Sequence, residues 1–300
     1  MLKFTFAATA LLAAAPSFAA EPPPLPEAAR QMLQKALDGG NDAEIATIAK
    51  YAIAANPDAK AEVDAIVNRY RTQKDKARTA RLSNARFWAL WDGKIELGGF
   101  RSTGSTSEVG ISAALGLKRT GLKWTHALSA SVDYRRANGR TSTERVVAAY
   151  QPRYAFDPRG FAYGLVQYEH DPFLGYDARY TGSAGIGYKL VDGKKVQLSV
   201  DAGPSVRHAQ YTDDGTETHM GARTSLDLSW KLNPALTFRQ TASGYAEKDV
   251  QSLTALTALD ARLIAKLTAR FSYNVQYETD TKLTDEKLDT LSKVTLIYDF

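Results

Sequence analysis

Four histidines and no cysteine limit the nucleophilic and metal chemistry open to this 300-residue chain. His208 and His219 stand equally far from the Asp213-Asp214 turn, so a hairpin there would bring them together beside Glu217. Imidazole and carboxylate in that arrangement suit a weak divalent-cation site. Two histidines on one hairpin are, however, more often incidental. His126 has Ser129 three residues on, and on a strand that spacing sends the two side chains to opposite faces, the wrong geometry for a nucleophile and its base. His170-Asp171 has no serine or Asp-x-His partner in sequence. No hydrolase signature is present, and the sequence predicts a non-enzyme without a cofactor.

The remaining chemistry is charge. Lys118, Asp133, Arg135, Arg179, Lys189, Asp201, Arg207, Arg223, Asp227, Arg239, Asp260, Arg262 and Arg270 all oppose an apolar face in segments that alternate with period two. Alternation of that kind is the pattern of β-strands with two unlike sides. Nine of the thirteen are basic and four acidic. Lining a water-filled lumen, they would favour anions; paired across strands, they would fill it instead. Over the whole chain, 38 Lys and Arg against 33 Asp and Glu give a net charge of +5. The basic residues are scattered rather than gathered, so no nucleic-acid partner is expected.

Two unlike regions carry these residues. Residues 1–19 have a basic start at Lys3, an apolar run and small residues at Ser17 and Ala19, the pattern of a secretory signal peptide. Residues 20–84 form a Pro-rich lead-in followed by a helical region. Met32, Leu33, Ala36 and Leu37 recur at helical spacing, Gly39-Gly40 ends that helix, and Asn41 or Asp42 can cap a second one carrying Ile45, Ile48, Ala49, Ala52 and Ile53. A third helix, from about Pro57, bears Val63, Ile66, Val67 and Tyr70 and then turns basic from Arg69 to Arg81. From residue 85 to 300 the period is two, with about twelve strands. The clearest are 108–119, 123–135, 179–190, 195–211, 218–231 and 267–280, separated by turn signals such as Asn138-Gly139 and Asp192-Gly193. Asp92-Gly93 also resembles a turn but is placed at the start of the first strand.

A soluble barrel and a membrane barrel both alternate. With the ends of the β-region on one side, Trp88, Trp91, Trp124 and Trp230 fall near one rim with Phe161, Phe238 and Phe300. Tyr134, Tyr168, Phe173, Tyr176, Tyr180, Tyr211, Tyr245 and Tyr277 fall near the other. Two aromatic girdles mark the two lipid–water interfaces. Mean hydropathy is −0.32, which a membrane barrel tolerates because only alternate residues meet lipid. The last strand presents Val294, Leu296, Tyr298 and Phe300 on one face, and Tyr298 and Phe300 resemble the signal that barrel-assembly machinery reads. The expected fold is therefore an all-β transmembrane barrel of about twelve antiparallel strands preceded by a small α-helical region. The expected place is the bacterial outer membrane, in contact with its lipid, with the helices in the periplasm.

The segment Trp91-Asp92-Gly93-Lys94-Ile95-Glu96-Leu97-Gly98-Gly99 followed by Thr103-Gly104-Ser105-Thr106 resembles the first hairpin of a barrel domain of unknown function found in a family of salt-induced outer-membrane proteins. Gly175 to Tyr180, Gly185 to Tyr188, and Asp201 to Arg207 resemble later blocks of it, so the likeness covers roughly Trp88 to Phe300. The family usually has Gly-Asn-Thr where Gly104-Ser105-Thr106 stands, and often Gly-Pro-Gly where Gly203-Pro204-Ser205 stands. The resemblance implies a porin-like barrel in the Gram-negative envelope and no particular activity. Three functions remain open at this point: a narrow anion-preferring pore or structural barrel, an outer-membrane hydrolase or acyltransferase, and a surface barrel that binds a cation or other ligand.

Overall fold

The computed structural model describes residues 23–102, 108–212, 215–248, 251–279 and 288–300. The expected signal peptide, residues 103–106 of the expected first hairpin, and Asp213 and Asp214 lie outside them. Two compact units are present, Met1–Arg81 and Leu82–Phe300.

The first unit is helical: α1 (Glu27–Gly39), α2 (Asp42–Ala55), a 3-10 turn (Pro57–Ala59) and α3 (Lys60–Asn84). Gly40 ends α1 in the left-handed conformation (φ 69°) and donates its N–H to the Ala36 and Leu37 carbonyls, a geometry that glycine adopts without Cβ strain. The Asn41 side chain then accepts the Ala43 N–H and starts α2. Leu33, Ala36, Leu37, Ile45, Ala52, Val63 and Val67 close a small apolar core. Met32, expected on the same face, is exposed instead. Glu62 ties the lead-in to α3 by accepting the Leu25 N–H at 2.6 Å and an Arg30 N–H at 2.5 Å. The Leu25 N–H, with Arg30, holds its carboxyl below the ordinary value.

The second unit is a closed antiparallel barrel of twelve strands: β1 (Trp91–Ser102), β2 (Glu108–Thr120), β3 (Trp124–Ala137), β4 (Arg140–Ala155), β5 (Gly160–Asp171), β6 (Tyr176–Asp192), β7 (Val196–Tyr211), β8 (Thr216–Lys231), β9 (Leu236–Glu247), β10 (Gln251–Ile264), β11 (Leu267–Glu278) and β12 (Leu288–Asp299). Each strand pairs with its sequence neighbour, and β12 returns to β1. Closure removes the sheet edges that would otherwise leave backbone groups without partners. The connections at the end bearing Phe300, here the terminal end, are two to four residues long, and the opposite end is the distal one.

Gly93 lies inside β1 rather than in a turn. Its N–H bonds the Phe300 carbonyl and its carbonyl accepts from the Phe300 N–H, with the aromatic ring lying over the glycine. A Cβ on Gly93 would sit 2.3 Å from the Phe300 ring, so the absence of a side chain lets the last residue seal the barrel. The Gly203-Pro204 step in β7 has a related role. Proline cannot donate to the ladder, and there the backbones of β6 and β7 approach so closely that a Cβ on Gly203 would lie 2.1 Å from the Ala184 carbonyl oxygen.

The two faces of the wall differ sharply. Ile95, Leu97, Ile111, Val132, Val166, Ile186, Met220, Leu253, Phe271, Val294 and Leu296 stand outward and exposed, each on the apolar parity of its strand. An apolar surface running round so many strands is far larger than a soluble monomer displays, and it fits an acyl-chain environment. Trp91, Trp124, Trp230 and Phe300 gather at the terminal end of this surface, and Tyr168 pairs with Tyr180 at the distal end, ring centroids 5.4 Å apart. Four residues expected in the girdles are not there. Phe161, Tyr176, Tyr211 and Tyr245 are buried. Strand parity turns Phe161, Tyr211 and Tyr245 inward, and a register shift between Tyr176 and Ala178 does the same for Tyr176, so that all four pack among charged side chains.

Candidate functional site

The inward residues of β4 to β11 form an ion-pair network through the distal half of the bore. Arg145 on β4 reaches Glu169 on β5 at 2.7 Å, and Arg179 on β6 reaches the other oxygen of the same carboxylate at 2.6 Å. Arg179 also extends to Glu278 on β11, at 3.1 Å. β6 and β11 are far apart around the ring, so this contact crosses the bore. Arg207 on β7 donates to Ser252 on β10 at 2.7 Å and lies 3.4 Å from Glu247 on β9. The luminal tyrosines complete this layer: Arg179 lies over Tyr176, 4.1 Å from the ring centroid, and Arg207 over Tyr245 at 3.8 Å. A guanidinium is attracted to an aromatic face most strongly when desolvated. The aromatic rings therefore serve as partners for the cations, which explains why they left the girdle.

Nearer the middle, Arg223 and Arg153 converge on Asp201, at 2.7 and 3.5 Å. Asp260 accepts from Arg239 and, through both oxygens, from Arg270, which also reaches Glu96 on β1 at 2.6 Å. Lys293 on β12 meets Asp133 on β3 at 2.8 Å. Lys189 pairs with Asp192 at the terminal end, 3.0 Å away. Lys118, Asp227 and Arg239 line a terminal cavity of about 400 Å³, Arg135 lines a central one of about 840 Å³, and Arg262 a third of about 110 Å³. All thirteen charged positions singled out in the sequence thus lie along the bore or in its ion pairs.

The cavities share lining residues. Asp227 lines both the central and the terminal one, and Lys94 and Arg270 line both the central and the third. Around the central cavity Lys94, Arg135, Arg145, Arg270 and Lys293 balance Glu96, Asp133, Asp171, Asp227 and Asp289. Around the terminal one Lys118, Lys123, Arg153, Lys189 and Arg239 outnumber Asp192 and Asp227.

The expected histidine pair does not form. Register places Thr218 opposite His208 and Arg207 opposite His219, so the two rings occupy opposite faces of the wall. His208 bonds Thr218 at 2.8 Å and His219 bonds Glu217 at 3.0 Å. Among the described residues no group of three ionisable ligands is placed to hold a metal. His126 is a rim residue, stacked between Trp124 and Tyr150 and bonded to the Tyr150 hydroxyl at 2.8 Å. Tyr298 and Phe300 face outward and are half exposed. Sequence reasoning missed Glu169, Glu247, Glu278, Arg145 and Arg153. Strand parity was a sufficient signal for each of them, but nothing local announces that Glu278 answers Arg179.

Residues 95–300 match the family model described as "Protein of unknown function, DUF481". The "Uncharacterized protein YdiY" of Escherichia coli (strain K12) is 23% identical over 190 residues, which are 63% of this chain and 75% of that protein. Among solved structures, the NanC porin matches 69% of this chain and 97% of its own at 12% identity, with a TM-score of 0.42. The translocator domain of the autotransporter NalP from Neisseria meningitidis matches 80% of this chain and 98% of its own at 14% identity and a TM-score of 0.41.

Proposed function

Because the chain belongs to the DUF481 family of proteins of unknown function, its activity has to follow from its own bore, and we propose that it is a non-enzymatic outer-membrane barrel that acts as a narrow pore preferring small anions. The observation that carries this reading is the run of cavities joined through Asp227, Lys94 and Arg270, with its basic excess at the terminal mouth. Twelve strands stand between eight, which side chains fill, and sixteen, which leave an aqueous channel. Here the distal network occupies part of the bore, and in this reading the cavities beside it connect into a passage. Cations at the mouth raise the local concentration of anions and lower the barrier to their entry. Tyr298 and Phe300 on the closing strand serve the assembly machinery in this reading, and the helical unit lies in the periplasm.

The full-length protein in planar bilayers tests the proposal. Stepwise currents whose reversal potential lies on the anion side are expected. Silent membranes, or a cation-selective current, overturn it. A structural barrel is the second reading, favoured by the cross-bore contact from Arg179 to Glu278, and silence would transfer the assignment to it.

A further inference from the structure

Among the described residues, one buried cation stands outside the bore. Arg119 on β2 shares the outward parity of Val109 and Ile111, and the register sets it between Trp91 on β1 and His126 on β3. It is only 9% exposed. The bore arginines of similar burial, Arg179, Arg207, Arg223 and Arg270, each have a carboxylate partner. Arg119 has none among the described residues. Its Nε donates to the Ala89 carbonyl at 3.2 Å, and its two Nη groups, without a protein acceptor there, still reach the surface. Desolvating a cation costs several kcal/mol unless an anion compensates it. The outer wall is one anion short at this point.

The surroundings say which anion fits. The segment before β1 folds back over Arg119, whose guanidinium lies 5.5 Å from the Phe87 ring centroid. Phe87 also meets His126, ring centroids 5.6 Å apart, and its carbonyl accepts the Trp91 indole N–H at 3.0 Å. The fold-back puts Leu90 at a left-handed φ of 68°, a conformation strained by a Cβ. Trp88 is left 82% exposed. Lys123, in the β2–β3 connection, holds its ammonium 5.9 Å from the Tyr154 ring centroid, and Tyr154 packs on Trp124. From Leu82 to Trp91, and from Arg119 to Val132, the sequence has no Asp or Glu. Indoles gather at the level of lipid headgroups, where the anion at hand is a phosphate. On the acyl side of Arg119, Leu117 and Leu128 pair across β2 and β3 on the same outer face.

We propose that this patch binds one anionic phospholipid, its phosphate on the Arg119 Nη groups beside Lys123 and its acyl chains along Leu117 and Leu128. The site rests on the membrane reading of the barrel and does not require that the bore conduct.

The test reads tryptophan quenching in the full chain, because Trp88, Trp91 and Trp124 lie at the patch while Trp230 stands on β8. In phosphatidylcholine vesicles, brominated phosphatidylglycerol should quench in preference to brominated phosphatidylcholine by about tenfold in affinity, and saturably. Arg119→Gln should remove the preference. Lys195→Gln takes the same charge from an exposed connection at the same end and should leave it. Where Arg119→Gln does not insert, Lys123→Gln decides, with an expected weakening of about fivefold. Equal quenching by the two lipids, a preference indifferent to the Arg119 or Lys123 change, or equal losses in Arg119→Gln and Lys195→Gln overturns the site. Displacement by soluble glycerol 3-phosphate would also overturn it, since a free phosphate rather than a lipid would then be the ligand. Vesicle flotation separates the two ideas: a barrel that inserts without preferring the anionic lipid loses only this site, whereas one that fails to insert loses the membrane reading as well.

Discussion

The two halves of the bore are built from the same kinds of side chain and use them in opposite ways. In the distal half, Arg179, Glu169, Glu278, Arg207 and Glu247 are each only 2–7% exposed at the side chain, and every guanidinium has a carboxylate partner. In the terminal half the cations outnumber the carboxylates, and Arg239 and Lys189 remain 46% and 43% exposed. Buried charges must be compensated because desolvation costs several kcal/mol per ion, whereas charges in contact with water need not be. Burial and pairing therefore go together in the distal half, whereas in the terminal half Lys189, Arg239 and Arg153 also have carboxylate partners but the cavity lining keeps an excess of cations.

The largest effect is expected from removing one member of the buried set. Glu278→Gln leaves Arg207 with Glu247 alone and ends the cross-bore contact of Arg179. Breaking a buried pair costs about 3–5 kcal/mol where the stranded charge stays dry. Urea unfolding of the barrel in lipid vesicles should register a loss of about 3 kcal/mol, and single-channel current should rise as the occlusion loosens. Unchanged stability together with unchanged current would show that the network neither braces nor blocks.

Next comes the terminal half. Lys118, Lys189 and Arg239 replaced together by Glu should invert the charge of the mouth and move the reversal potential from the anion to the cation side. Stability should change far less than in Glu278→Gln, because exposed pairs contribute at most about 1 kcal/mol each. A barrel that unfolds while its selectivity holds would reverse the contrast drawn between the halves. Salt distinguishes the same two regions more gently. Raising ionic strength from about 0.1 to 1 M shortens the screening length from about 10 to 3 Å, so wild-type anion preference should fall while the contribution of Glu278 to stability stays nearly constant.

Much of this contrast was legible in the sequence, because parity is a local property. Placing Arg179, Asp201 and Arg270 on the bore side needs only the observation that their neighbours in sequence are apolar or small. Parity says nothing about which strand lies opposite. Glu278 and Arg179 are 99 residues apart, and their contact depends on the closed ring order and on register along it. The same gap explains the histidines. Equal distance from the Asp213-Asp214 turn suggested that His208 and His219 would meet, yet the register opposes His208 to Thr218 and the two rings fall on opposite sides of the wall. Aromatic residues failed for another reason: Tyr176 and Tyr245 look like girdle residues by type, and only the guanidinium beside each reveals why it turned inward.

The smallest expected effect sharpens the contrast at the terminal end, where a charge holds a turn instead of another charge. Asp157 accepts the backbone N–H of Gly160 at 2.6 Å and of Arg159 at 2.7 Å in the β4–β5 connection. The Gly160 and Arg159 N–H groups hold its carboxyl below the ordinary value of 3.8. A carboxyl depressed on folding adds stability above its unfolded pKa and loses it as pH falls through the lowered folded value. Wild type should therefore melt slightly higher than Asp157→Ala at pH 7, and the gap should narrow as the pH drops below about 4. Because Asp157 lies at the water-facing end, added salt should also trim the difference, unlike that made by Glu278. A gap that widened in acid would mean that the carboxylate strains this turn, and the terminal half would then need its charges compensated as much as the distal half does.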